Sequence, residues 1–216
     1  MTKTIGIFLH HPECSQDCVD GMTIALREQY NIKTFTEQQC NPQTLATLDA
    51  VAFPGGIGDA SSYDKFFRRK AQNAVADYVA NGGKYLGICM GAYWAGSYYF
   101  DILCGVDATQ YIKRPQTEIK RPYSTVARVE WNGEQEDMFF YDGCALIGDE
   151  RDFKTIARYK NGDPMAIIQN NVGLIGCHPE SQLYWYEKPR QYINNYWHGG
   201  HHHELLLQFT NELMEN

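Results

Sequence analysis

The sequence predicts a doubly wound α/β fold, a mostly parallel sheet covered by helices on both faces, with an antiparallel β insertion. Three observations carry this. As far as Ile88, short apolar runs alternate with segments of helical spacing, and strands returned to a sheet through helices pair in parallel. From Tyr123 to Ile168 the pattern becomes short alternating strands broken at Asn132-Gly133, Asp142-Gly143 and Asn161-Gly162, dipeptides suited to hairpin turns. Val172 to Cys177 then returns to an unbroken apolar run, as a strand buried on both faces requires.

Each element follows from the same signals. Thr4 to Leu9 is the first strand, and Val19, Met22, Ile24, Ala25 and Leu26 predict a helix over Cys18 to Tyr30. Ile32 to Phe35 and Asp49 to Phe53 are the second and third strands, the latter stopped by Pro54-Gly55-Gly56. Residues 62–80 carry Phe66, Phe67, Ala71, Ala74, Val75, Tyr78 and Val79 at helical spacing and end at Asn81-Gly82-Gly83, a C-terminal stop. Lys84 to Ile88 is the fourth strand, followed by a helix-compatible segment, Ala92 to Tyr98. The β insertion occupies about 123–168, and a closing helix runs from Glu204 to Met214 on Leu205, Leu206, Leu207, Phe209 and Leu213. Residues 1–216 read as a single domain with no internal repeat.

Composition narrows the function classes. A formal net charge of -7 and a pI near 5.5 argue against a nucleic-acid partner, which selects a basic surface. The apolar run near the N-terminus is far too short for a signal peptide core or a membrane span, so no membrane association is expected. Seven cysteines, odd in number and without framework spacing, point to a reducing, cytoplasmic location.

The chemistry concentrates around Cys89. The apolar run Tyr85-Leu86-Gly87-Ile88 leads directly into it, and Gly87 and Gly91 stand two positions to either side. This is the pattern of a nucleophile elbow with cysteine in the serine's place. The glycines admit a turn so sharp that a Cβ there would clash. The helix start favours a thiolate through its free N–H groups and dipole.

In open α/β sheets ligands bind beyond the carboxyl ends of the strands, and three segments meet that condition. Cys89 ends the fourth strand, His178-Pro179-Glu180 ends the late strand, and Pro54-Gly55-Gly56-Ile57-Gly58 ends the third. A thiol needs a base, an imidazole needs an acceptor on its second nitrogen, and a tetrahedral intermediate needs backbone donors. The Met90 N–H and a glycine N–H of the 54–58 turn are placed to donate. His10 and His11 end strand one and border the same cleft, with Gly55 and Tyr93 as further substrate-binding candidates.

These motifs resemble those of the class I glutamine amidotransferase superfamily. Gly87-Ile88-Cys89-Met90-Gly91 with His178-Pro179-Glu180 resembles its triad, and Pro54-Gly55-Gly56 its oxyanion loop. More narrowly, Phe53-Pro54-Gly55-Gly56, Gly82 through Cys89, and Gly91-Ala92-Tyr93-Trp94-Ala95-Gly96 are similar to the amidotransferase-like domain at the N-terminus of some biotin–protein ligases. The resemblance covers most of residues 1 to 185 and implies a flavodoxin-like sheet. It also implies Cys89 as nucleophile, His178 as base, Glu180 as its orienting partner, and Gly56 with Met90 as oxyanion donors. It implies a small-molecule amide or acyl substrate, a separate synthase or ligase partner where ammonia is passed on, and no cofactor or resident metal.

The chain departs from the superfamily at Tyr93, where a substrate-holding glutamine is usual, and it lacks the nucleotide loop of a biotin ligase. The intracellular-protease-like branch carries histidine directly after its nucleophile, where this chain has Met90. Two functions therefore stand side by side: a Cys-His-Glu amide hydrolase acting through a thioester, and a non-catalytic ligand-binding or regulatory module on the same fold. The remaining features have plainer readings. His10, His11, Cys14 and Cys18 fit no zinc spacing well. His198 and His201 to His203 are expected in a solvated loop before the last helix. Cys40, Cys104, Cys144 and Cys177 are expected as packing residues, and Tyr93, Trp94, Tyr98, Tyr99 and Phe100 as core. Tyr184, Trp185 and Tyr186 either line a pocket or pack a helix.

Overall fold

Continuously apolar strands occupy the centre of the sheet because both of its faces there are covered. The computed structural model describes residues 2–9, 14–56, 69–187 and 189–216. Strands β1 (Thr4–Phe8), β2 (Asn31–Phe35), β3 (Ala50–Phe53), β4 (Lys84–Ile88) and β11 (Val172–Ile175) pair in parallel in the order β2-β1-β3-β4-β11. That is the flavodoxin-like arrangement. All residues of β3 and β11 are buried, matching their unbroken apolar sequence.

The insertion continues this sheet. Strands β6 (Thr125–Trp131), β7 (Glu134–Phe140), β9 (Lys154–Tyr159) and β10 (Pro164–Gln169) extend it in antiparallel fashion beyond β11, in the order β10-β9-β6-β7. β5 (Val106–Gln110) and β8 (Cys144–Gly148) form a separate antiparallel pair. The β-rich region thus opens at Val106, ahead of the expected start. In β6, Ala127, Val129 and Trp131 are buried while Arg128 and Glu130 are exposed, the period of a strand with one wet face. Asn132 and Gly133 at the β6–β7 turn both take positive φ, 49° and 90°, as their sequence predicts.

Five helices complete the described fold: α1 (Gln16–Leu26), α2 (Pro42–Leu45), α3 (Arg69–Ala80), α4 (Met90–Trp94) and α5 (His201–Glu215). The first part of the helix expected over 62–80 lies outside the described residues. Helix α4 ends at Trp94, short of the expected Tyr98, and Tyr98 is 92% exposed rather than core. The closing helix starts at His201, not Glu204, so the histidine tract forms its first turn. Helix α1 packs on α5, which reaches β4 and β11. Phe209 of α5 meets Trp131 of β6 edge-on at 6.1 Å, so this helix bridges the parallel strands and the insertion.

An aromatic cluster underlies the carboxyl ends of the central strands. Phe8, Phe53 and Tyr85 stack in a row at 5.2 and 5.1 Å, and Trp94 meets Phe8 and Phe53 edge-on at 6.2 Å. Trp94 is fully buried and ties α4 to this row. Truncation of such a side chain leaves a cavity that a packed core fills poorly. Trp94→Ala is expected to destabilise the fold by ~3–5 kcal/mol, seen as a lower urea midpoint at unchanged slope.

Candidate active site

Parallel pairing brings three strand ends to one place. β4 lies between β3 and β11, with Gly87 opposite Phe53 and Ile88 opposite Ile175. The chain then turns at Cys89 with φ 50° and ψ −104°, and α4 begins at the next residue. A non-glycine residue in this conformation carries about 1–3 kcal/mol of backbone strain, and the surroundings hold it there. The Cys89 N–H donates to the Ile175 carbonyl at 2.8 Å. A Cβ on Gly91 would stand 1.9 Å from the Phe53 carbonyl oxygen, so only glycine lets α4 approach β3 so closely. The Tyr85 hydroxyl donates to the Gly91 carbonyl at 2.6 Å, fixing the same turn from below. The sharp strand-to-helix turn expected from the sequence is present.

His178 follows β11 and is fixed on both sides. Its Nδ1 lies 2.9 Å from Glu180 Oε1, and its backbone N–H donates to the Phe139 carbonyl at 2.9 Å. Phe139 and Trp185 flank the ring edge-on at 5.9 and 5.7 Å. His178 and Glu180 are 3% and 0% exposed, so their pairing is shielded from water. Burial alone would lower the imidazole pKa. The Cys89 sulfur and the Glu180 carboxylate act in the opposite sense, aided by hydrogen bonds with Cys18 and Cys89, and together they raise it well above its ordinary value.

Glycine also sets this side of the site. A Cβ on Gly55 would fall 2.6 Å from His178 Cε1 and 3.1 Å from Cys18 Sγ. The Pro54-Gly55-Gly56 turn therefore lies against the imidazole, as its place after β3 predicts. Gly21 of α1 does the same for Glu180, whose carbonyl oxygen a Cβ there would meet at 2.1 Å. Met90 occupies the first position of α4, where a backbone N–H has no intrahelical acceptor. Beside His178, a cavity of about 260 Å³ is lined by Gly56, Cys18, Tyr141, Phe139, Trp185 and Arg190 among others.

Of the other candidates, Tyr93 lies beside the elbow. Its hydroxyl donates to the Asp142 carbonyl at 3.2 Å, and burial, with Cys144 and Cys89 nearby, holds it as a neutral phenol. The neighbouring Tyr141 carbonyl accepts from Cys89 Sγ at 3.6 Å. His10 and His11 lie outside the described residues. Trp185 lines the cavity, while Tyr186 is buried and bonds the Ser181 hydroxyl at 2.9 Å. Cys40, Cys144 and Cys177 pack as expected, but Cys104 is exposed.

One residue beside His178 escaped the sequence reading. Cys18, in the first turn of α1, is buried against His178, and its thiol pKa is pushed up to about 12 by burial despite the hydrogen bond with His178. Its helical spacing with Val19, Met22 and Ala25 marked it as inward-facing. Nothing in that spacing pointed to His178.

The histidine tract is not the solvated loop expected. His202 is 2% exposed, and its ring stacks on His198 at 4.1 Å. His198 Nδ1 accepts from the Gly200 and His202 backbone N–H groups at 3.1 and 3.2 Å, leaving Nε2–H to donate to the Ser181 carbonyl at 3.2 Å. His203 Nε2 binds the same carbonyl at 2.9 Å. Two imidazoles therefore clamp the residue directly after Glu180. His202 Nε2 lies 3.2 Å from Glu136 Oε2, while its buried Nδ1 has no hydrogen-bond partner among the described residues.

Neither His198 nor His202 can take a second proton without losing or burying a donor. Burial and neighbouring histidines lower their pKa values to about 4 and about 2. The unfolded chain binds these protons near pH 6.5, so folding excludes them and stability falls as pH drops from about 6.5 toward 4. His178, raised in the fold, titrates on the other side of that window. Urea midpoints are expected to decline over this range, and His202→Gln to make the decline shallower.

With this geometry in place, solved structures identify the fold first. A glutamine amidotransferase of Thermotoga maritima matches over 100% of both chains, with a TM-score of 0.69 and 11% identity. Another glutamine amidotransferase structure covers 98% of this chain and 99% of its own, with a TM-score of 0.65 and 20% identity. PurLQS from Thermotoga maritima covers 99% and 100%, with a TM-score of 0.66 and 15% identity. The fold is that of the class I glutamine amidotransferases. Residues 10–102 match the family model "Biotin-protein ligase, N terminal", a stretch that includes Pro54-Gly55-Gly56 and the Cys89 elbow. The chain is thus similar to both groups that its motifs resemble. No curated protein matches it. Among the described residues, no helix is long and apolar enough to cross a membrane.

Proposed function

We propose that this chain is a cysteine-dependent amide hydrolase of the amidotransferase type. The observation that carries the reading is a strained cysteine at a strand end beside a buried His178–Glu180 pair. Strain of this kind at a strand-to-helix turn is typical of a positioned nucleophile, and an imidazole held by a carboxylate is the base it needs.

In the proposed cycle, His178 accepts the Cys89 thiol proton and Cys89 Sγ attacks the carbon of a carboxamide. The Gly56 and Met90 N–H groups donate to the oxyanion. The C–N bond breaks as His178 returns the proton to the leaving nitrogen, releasing ammonia or an amine and a thioester on Cys89. Water, deprotonated by His178, cleaves the thioester to the acid and restores the thiol. Glu180 keeps Nδ1–H directed and stabilises the imidazolium, in keeping with the raised pKa of His178. The substrate is a small amide or acyl compound entering the cavity beside His178, with Gly55 against the imidazole and Tyr93 beside the elbow as the further substrate-binding candidates. Where the nitrogen is used, a separate synthase or ligase chain receives it; the likeness to PurLQS and to the biotin–protein ligase N-terminal family supports such a partner. The reactive thiol suits a reducing cytoplasm, and the residues form one domain.

Tyr93 favours a second reading. It stands where the superfamily usually holds glutamine, and its hydroxyl is engaged by Asp142. In that reading the chain binds a ligand without turnover. A thiol-reactive glutamine analogue separates the two. Rapid, stoichiometric labelling of Cys89, mapped by mass spectrometry and slowed about 10²–10⁴-fold in His178→Ala, is expected. Slow labelling indifferent to His178→Ala would establish the binding module. Gly55→Ala tests the geometry separately: its methyl group must displace the His178 ring, so labelling is expected to slow while the fold persists.

A further inference from the structure

We propose that Cys18, His178 and Glu180 form a binding site for a borderline-soft divalent cation such as Zn²⁺, and that its occupancy takes the His178–Glu180 pair away from Cys89. Cys18 Sγ, a ring nitrogen of His178 and a carboxylate oxygen of Glu180 all lie within 4.8 Å of one another. Zinc holds sulfur at about 2.3 Å and nitrogen or oxygen at about 2.0–2.2 Å, so the three donors need to close by only about an ångström around an ion.

A second, independent observation points to the same ligand. Glu180 Oε1 pairs with His178, but Oε2 is buried and has no hydrogen-bond partner among the described residues. A carboxylate oxygen denied both water and a donor is a vacant ligand position. The donor set selects the ion: thiolate and imidazole suit Zn²⁺, whereas Mg²⁺ and Ca²⁺ require mostly oxygen. Cys18 and His178 also line the cavity, which supplies an entry path and room for water at a fourth position. This set differs from the His10, His11, Cys14 and Cys18 grouping that the sequence brings to mind. It unites residues far apart in the chain that meet only in the fold.

The reaction balances without any redox partner. Cys18 loses its thiol proton to solvent as the sulfur–metal bond forms, so affinity rises with pH. The high pKa of the buried thiol, about 12, means that this proton is present at neutral pH. His178 must also be in its neutral form to give a ring nitrogen to the ion, so proton release accompanies binding. Metal binding stands on the geometry alone; the silencing of Cys89 rests on the hydrolase reading.

The test uses the full chain after chelation, titrated with Co²⁺ as a coloured surrogate and then with Zn²⁺. One equivalent is expected to give tetrahedral d–d bands and a thiolate-to-cobalt charge-transfer band, both displaced by Zn²⁺, retained in Cys89→Ser and lost in Cys18→Ser. X-ray absorption on the zinc-loaded wild-type chain, which needs no variant, is expected to show one sulfur per zinc. A band lost in Cys89→Ser but kept in Cys18→Ser would overturn the proposal, as would zinc with nitrogen and oxygen ligands only, the signature of capture by the histidine tract. The Zn²⁺-dependent slowing of Cys89 labelling is expected to exceed tenfold in the wild type, and the ratio with and without Zn²⁺ to fall to one in Cys18→Ser. If apo Cys89 never labels, the hydrolase reading fails while the spectra still decide the metal site.

Discussion

The strained backbone at Cys89 is the constraint on which the rest of this structure depends. A residue at φ 50° and ψ −104° does not hold itself there. Three separate contacts do: the Ile175 carbonyl on the Cys89 N–H, the Phe53 carbonyl against Gly91, and the Tyr85 hydroxyl on the Gly91 carbonyl. Each comes from a central strand or the loop it feeds, so the elbow forms only once β3, β4 and β11 lie side by side. The aromatic row beneath, with Trp94 edge-on to Phe8 and Phe53, converts apolar burial into the rigidity that the turn needs. Local strain is thus offset by packing distributed over residues that touch no substrate.

Much of this was legible in the chain because it has a local signature. Apolar runs that end in glycine-rich turns located β3, β4 and β11, and the Gly87-x-Cys89-x-Gly91 spacing located the elbow. What was illegible depends on partners distant in sequence. Nothing in the alternation of β6, β7, β9 and β10 says whether they form a second sheet or prolong the first. The pairing of β10 with β11 decides it, a partnership between strands that their own sequences do not announce. Cys18 is similar: its helical period marks it as buried, but that period cannot name His178 as the neighbour.

The histidine tract failed for a different reason. Gly199 and Gly200, at φ 63° and 100°, read locally as the end of structure and a solvated turn. They serve instead as the entry to α5, whose first turn brings His203 to the Ser181 carbonyl and His201 and His202 to Glu136. Histidine composition alone gives no hint of burial, since its polar tips usually face water. Here the backbone N–H groups at the helix start and the Ser181 carbonyl supply partners for ring nitrogens. The consequence reaches the candidate site, because Ser181 follows Glu180 and its carbonyl is held from the α5 side while Gly21 admits the Glu180 backbone from the α1 side.

His178 is the point where these supports converge, and two thiols bear on it. Cys89 and Cys18 both lie close enough to act on it, and both raise its pKa. The two sulfurs are not equivalent. Cys89 sits at a helix start on strained backbone, whereas Cys18 lies on the inward face of α1 with its thiol proton strongly retained. Only one of them can draw on the imidazole at a time. When His178 faces Cys89, Cys18 is a neutral packing group and the Glu180 Oε2 lone pairs go unused. An ion that recruits Cys18 would use those lone pairs and occupy the imidazole. A single buried carboxylate, half satisfied by histidine, therefore leaves the site poised between two occupancies that the same three side chains cannot support together.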